Sequence, residues 1–235
     1  MWTEIEIILF ILEIIGTISF AVSGAFVAIK AKFDIFGVLV IGCITAVGGG
    51  IMRDILIGRF PPIIFTRWYV AVTAGVSALL TFVISYKQRN KFEGFRGKIE
   101  HINNIFDALG LAAFVVMSTE LAFTYGFQSN VFFSLVLGVL PAVGGGVLRD
   151  ILTETPPYIF TKHIYALAAL GGTGLYYVMR CFAFDNIIFP SIVGMLFVFG
   201  IRMLATKYHW KLPKVRFEET KNCKKTDIVE EDHAE

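Results

Sequence analysis

Apolar positions along this chain gather into seven long runs, separated by short stretches that are polar or carry glycine and proline. The runs are Ile5–Ala28, Phe36–Ile57, Tyr69–Tyr86, Ile105–Phe123, Val131–Leu152, Ile164–Met179 and Ile187–Ala205. Several of them approach the ~20 residues that a helix needs to cross a bilayer. The pattern predicts an all-α, polytopic membrane fold with seven transmembrane helices over residues 1–207. Residues 208–235 are mostly polar and charged. They read as a solvated, disordered tail, because too little apolar surface exists there to offset the entropy of ordering.

Composition agrees, with 56% apolar residues and a mean hydropathy of +0.69. The first run has no basic segment before it and is too long for the core of a cleavable signal, so it is expected to remain as the first span. A net charge of +2 gives no reason to expect a nucleic-acid partner. The distribution of the charge is more informative. One side of the predicted bundle receives Lys30, Lys32, Lys87, Arg89, Lys91, Arg96, Lys98, Lys162, Lys207, Lys211 and Lys214. The other receives Arg59, Arg67 and Arg180. The positive-inside bias then places the N-terminus outside and the C-terminus in the cytoplasm of a cell inner or plasma membrane. Lys87 to Lys98 reads as a cytoplasmic loop, with an anionic-lipid site as the alternative.

The chain repeats itself. GGGIMRDIL begins at Gly48 and GGGVLRDIL at Gly144, 96 residues apart, with seven of nine positions identical. Ala-Val precedes each copy, and Pro61-Pro62 or Pro156-Pro157, then Ile-Phe-Thr, follows it. Upstream, Gly24-Ala25-Phe26 resembles Ala112-Ala113-Phe114, at an offset of 88 that sets Asp107 opposite Ser19. The repeating unit is three helices, about residues 5–86 and 104–180, with the seventh helix, about 187–206, outside it. An odd number of spans inverts the second copy, so the units are expected to be related by a two-fold axis in the membrane plane.

Glycine weakens a helix by about 1 kcal/mol relative to alanine. The triplets Gly48, Gly49, Gly50 and Gly144, Gly145, Gly146 therefore predict breaks in the second and fifth spans. A broken helix in the bilayer must be buried in protein or face a water-filled cavity. Its free carbonyls suit an alkali cation and its free amides suit a carboxylate. The alternative is that the glycines only allow close helix packing. Three in succession face all round a helix, which argues for the break.

Arg53 and Arg149 follow the triplets, each beside an acid, Asp54 or Asp150. Arg53 lies roughly 25 Å along its helix. Two readings stand for these arginines: snorkelling or structural pairing, and a pore or gate role. In the first span Glu13, Gly16, Ser19 and Ser23 share one face. Glu13 is an intramembrane carboxylate, either functional or hydrogen-bonded to a neighbouring helix. No catalytic constellation stands out, so an enzyme is not expected. Cys43, Cys181 and Cys223 are scattered and the four histidines form no motif, so neither a metal nor a cofactor is expected.

The doubled GGGxxRD motif, its Pro-Pro followers and the seven-span layout resemble the bacterial UPF0126 family, now described as a glycine-transporter-domain family. That family is similar to the trimeric intracellular cation channels, and the resemblance covers about residues 1–207. It implies a homotrimer with one pore inside each protomer, permeated by K+ with some Na+. It also implies that Gly48–Gly50 and Gly144–Gly146 kink the pore-lining helices, with Arg53 and Arg149 at or near the pore. The leading function is a monovalent-cation (K+) channel. The alternative is a secondary transporter of glycine or another small zwitterion, which shares inverted repeats and broken helices with the channel.

Overall fold

Helices form where the apolar runs predict them. In the computed structural model, which describes residues 3–87, 96–161, 164–182, 186–208 and 210, the long helices are α1 (Glu4–Lys30), α2 (Ile35–Leu56), α4 (Trp68–Lys87), α5 (Arg96–Thr124), α6 (Val131–Leu152), α8 (Tyr165–Phe182) and α9 (Ile188–Lys207). Two four-residue helices, α3 (Ile63–Thr66) and α7 (Tyr158–Thr161), follow the Pro-Pro pairs and are not evident from the apolar pattern. Among the described residues every helix is an α-helix and no strand occurs. Arg89, Lys91, Lys162, Cys223 and the tail from Lys211 onward lie outside the described residues, as do the side chains of Arg96 and Lys98.

Short polar residues fix the helix starts. Thr3 and Glu6 form a reciprocal capping box at α1. The Asp34 carboxylate accepts from the Gly37 amide at 2.7 Å, and Asn130 accepts from the Phe133 amide at 3.0 Å. Six described helices are long and apolar enough to cross a membrane. The predicted sixth span, now α8, falls short of that apolarity. Gly171, Gly172, Thr173, Gly174 and Arg180 dilute its 18 residues.

α5 sits at the centre of the bundle. Gly110 to Ala122 are buried without exception, so the helix is enclosed all round. Outward-facing stripes cover the periphery: Val72, Val76, Leu80 and Ile84 on α4, and Phe189, Ile192 and Leu196 on α9. Small residues bring the inner helices together. A Cβ on Gly16 of α1 would meet the Phe114 ring of α5 at 2.8 Å, and one on Gly110 of α5 would meet the Phe20 ring of α1. The two rings pack on each other, with centroids 5.2 Å apart.

These contacts are reciprocal, and their register corrects the sequence alignment. Gly16 with Phe114 mirrors Gly110 with Phe20 only at an offset of 94 residues. The Gly-Ala-Phe match at 88 is therefore out of register. Asp107 corresponds to Glu13, not to Ser19. The sequence carries the right signal, an acid three residues before a glycine and a phenylalanine four residues after it, in both helices.

Candidate functional site

Each glycine of a triplet points about 100° from the last, and each meets a different neighbour. A Cβ on Gly48 would strike the Leu148 side chain of α6, and one on Gly144 would strike Met52 of α2. A Cβ on Gly49 would collide with the Pro141 carbonyl oxygen, and one on Gly145 with the Thr45 carbonyl oxygen. Those same Cβ positions lie 3.7 Å from the Gly145 and Gly49 amide nitrogens, respectively. α2 and α6 thus cross backbone to backbone, with the 96-residue offset kept throughout. Both helices run through their triplets uninterrupted. The expected break is absent. Two sides of the glycine surface are needed because the opposing helix presses on them, while the third faces the motif's own arginine.

That arginine marks the candidate site. Gly50 leaves open space below Arg53, whose Nη2 is 3.9 Å from a Cβ built there. Gly146 faces the Arg149 Nη2 at 3.6 Å in the same way but more tightly, since a Cβ there would lie 3.1 Å from the Tyr165 hydroxyl. Arg53 is 2% exposed and Arg149 is fully buried, so neither snorkels. A helix turns each guanidinium inward, where its own neighbour neutralises it. The Arg53 Nε donates to Asp54 Oδ1 at 2.8 Å, and the Arg149 Nε donates to Asp150 Oδ1 at 2.8 Å. The second oxygen of each aspartate accepts a backbone amide, from Ile63 at 2.7 Å and from Tyr158 at 2.8 Å. The Asp of each motif therefore ties its arginine to the start of the short helix behind the Pro-Pro pair.

The first helix of each repeat completes each centre, in the corrected register. Arg53 Nη1 reaches the Met117 sulfur of α5 at 3.5 Å, and Arg149 Nη1 donates to the Ser23 hydroxyl of α1 at 2.6 Å. Ser23 also donates to Asn103 at 2.8 Å. Glu13 lies 3.9 Å from Arg53 Nη2, while Asp107 accepts from Arg149 Nη1 at 2.8 Å.

A second arginine enters each centre from outside the shared motif. Arg67, just after α3, lies 3.4 Å from Glu13, and Arg202 of α9 lies 3.5 Å from Asp107. Each centre therefore holds two arginines and two carboxylates. The resemblance stops there. Arg67 is 38% exposed at its side chain, whereas Arg202 is 2% exposed and lies over the Tyr165 ring at 4.6 Å. Arg149 is further covered by the Tyr158 ring at 4.9 Å. Beside the first centre a cavity of about 20 Å³ opens between Glu13, Thr17, Gly50, Arg53 and Phe114.

A separate buried group joins Glu120 of α5 to α8. Arg180 donates to both of its oxygens, at 2.9 and 3.0 Å, and the Tyr176 hydroxyl donates at 2.9 Å. Sequence reasoning missed Glu120 and Arg202, although an ionisable residue within an apolar run is itself the signal.

Residues 10–86 and 104–180 each match the family model described as Glycine transporter. The chain belongs to this family. The two matches begin 94 residues apart and end 94 residues apart, the register set by the Gly16 and Gly110 contacts. Among members, the UPF0126 inner membrane protein YadS of Escherichia coli K12 is 34% identical over 209 residues, covering 88% of this chain and 96% of YadS. The crystal structure of a prokaryotic TRIC channel in 0.5 M KCl is similar with a TM-score of 0.77 at 32% identity, over 88% of this chain and 99% of that one. The TRIC trimeric intracellular cation channel orthologue from Rhodobacter sphaeroides matches with a TM-score of 0.76 at 27% identity, over 86% and 98% of the two chains. The family member described here is thus an all-helical, multi-pass membrane protein with the fold of those channels.

Proposed function

We propose that this chain is a monovalent-cation channel, with K+ as its main ion and Na+ as a lesser one. The observation that carries this reading is the α2/α6 crossing, where bare glycine backbone is flanked by two buried, internally neutralised arginine centres. A structure made only for packing has no use for seven buried charges and a partly exposed Arg67 beside its closest helix crossing. Intramembrane ionisable residues generally mark ion or substrate pathways. The likeness to TRIC channels supports the same reading. On this proposal α2 and α6 line a path inside each protomer, Gly50 and Gly146 border it, and Arg53, Asp54, Arg149, Asp150 and Glu13 set its electrostatics. The protomers form a homotrimer in lipid.

The architecture proposed is two inverted three-helix repeats, about residues 5–86 and 104–180, followed by helix seven at about 187–206 and a cytoplasmic tail from 208. Reciprocal contacts between residues and their repeat mates support it, since a two-fold axis makes each contact occur twice. The membrane is the cell inner or plasma membrane, with the N-terminus outside.

The test is the purified chain in liposomes, assayed in parallel for K+ flux and labelled glycine uptake. Dissipation of a K+ gradient without glycine is expected. Saturable glycine uptake without K+ flux overturns the channel and leaves the secondary transporter.

A further inference from the structure

The two centres differ in one respect that the repeat does not explain: how firmly the second arginine is held. At Asp107 both arginines are buried, and Arg202 is pinned over Tyr165. At Glu13 the contacts are long, 3.4 Å to a partly exposed Arg67 and 3.9 Å to Arg53. Arg53 is already committed to Asp54, at 2.7 Å. Departure of Arg67 would leave the first centre with one positive and two negative groups. The uncompensated charge would sit on Glu13, which is 7% exposed at its side chain.

Next to that carboxylate is a place for a cation. The cavity of about 20 Å³ has room for roughly one water-sized occupant. A bare potassium ion is about that size. Thr17 lines the cavity one helical turn from Glu13. It is 1% exposed, and its hydroxyl has no hydrogen-bond partner. A buried hydroxyl without a partner is costly, and an oxygen-ligated cation satisfies it. The site then offers one full negative charge, one neutral oxygen and a volume for a single ion.

We propose that Glu13 and Thr17 form a binding site for one monovalent cation, and that Arg67 is a detachable latch which occupies the charge of Glu13 until an ion replaces it. The centre is neutral in both states, with Arg67 docked or with one cation bound. A divalent ion leaves it with an excess positive charge beside Arg53. The second centre, closed by Arg202, exchanges nothing and serves as the rigid half. This inference rests on the channel reading, and deepens it by naming where the ion stops and what displaces it.

The experiment uses the purified full chain and reads thermal stability as well as flux. Arg67→Gln removes the competing charge. Its melting temperature in K+ is expected to exceed that in the large cation N-methyl-D-glucamine, at equal ionic strength, by about 3–6 °C, the shift for tenfold saturation of one site. The wild-type shift is expected to be smaller. Adding Glu13→Gln to Arg67→Gln should abolish it. Should that double variant fail to assemble, Arg67→Gln with Thr17→Val serves instead, since it removes the neutral ligand and keeps shape and charge. In liposomes Arg67→Gln should raise K+ flux several-fold, and only with Glu13 intact. No K+-dependent shift in Arg67→Gln, or a shift that survives Glu13→Gln, overturns the site. A K+-dependent shift without K+ flux in any variant keeps the site and overturns the channel.

Discussion

At the scale of single residues, the determining fact is that buried arginines are useful here only in company. A lone guanidinium in this interior would cost several kcal/mol, so each is held by carboxylates within the same bundle. The two centres are unequal in this respect, and stability should reveal it. Asp107→Ala strips a buried partner from both Arg149 and Arg202, and removing one member of such a group costs about 3–5 kcal/mol. A large fall in melting temperature in detergent is expected, or loss of folded protein. Glu13→Gln removes only contacts of 3.4 and 3.9 Å, one of them to a partly exposed side chain, so its fall should be much smaller. Equal losses would mean that the two centres carry the same structural burden. Glu13 was legible in the sequence as an acid inside an apolar run. Its relation to Asp107 was obscured because a Gly-Ala-Phe triplet offers a more conspicuous match six residues out of register. The geometry that decides the register, a glycine receiving the phenylalanine of the opposite helix, is a tertiary contact.

At the scale of the helix, the glycine triplets show how far local preference goes. Most helices stand where hydrophobic periodicity puts them: α6 matches its predicted span at both ends, and α2 differs by one residue at each end. Propensity suggested breaks, and that inference failed for a physical reason. Glycine's cost of about 1 kcal/mol is small compared with what tertiary packing can supply. Here the bare surface lets two backbones touch, which no other residue permits. The sequence could not say which glycine faces which neighbour, because that depends on the crossing. The structure separates them. Gly49→Ala should gain about 1 kcal/mol of helix propensity, yet lose stability overall, because the new methyl meets the Pro141 carbonyl, which cannot rotate away. Gly145→Ala should behave alike against Thr45. Gly50→Ala meets nothing closer than 3.9 Å, so the same gain of about 1 kcal/mol is not offset and its melting temperature should rise by about 2–4 °C. If Gly49→Ala melts at or above the wild-type temperature while assembling normally, the close crossing is not what the second glycine provides.

At the scale of the whole molecule, the question is which face of the membrane each centre addresses. The seven apolar runs and the skewed basic residues supplied an orientation, whereas the fold by itself has no inside or outside. Lys30 ends α1 and Lys32 follows it, while Arg67 and the α5–α6 connection around Gln128 lie at the opposite ends of their helices in an alternating bundle. If positive charge is retained in the cytoplasm, Arg67 and its contact with Glu13 face outward. Asp107, at the corresponding place in the second repeat, then belongs to the cytoplasmic half. The latch would answer to external cations, and the rigid centre would stand behind it. Single cysteines decide this, placed at Lys30 or Gln128 in a chain whose Cys43, Cys181 and Cys223 have been replaced. Both positions are exposed, so access depends on side and not on burial. An impermeant thiol reagent added to intact cells should label the cysteine at 128 and spare the one at 30, and both should react once the membrane is permeabilised. The reverse pattern would turn the molecule over and set the Arg67 latch toward the cytoplasm. Labelling of both in intact cells would indicate two orientations in one membrane, which a net bias of this size is expected to prevent.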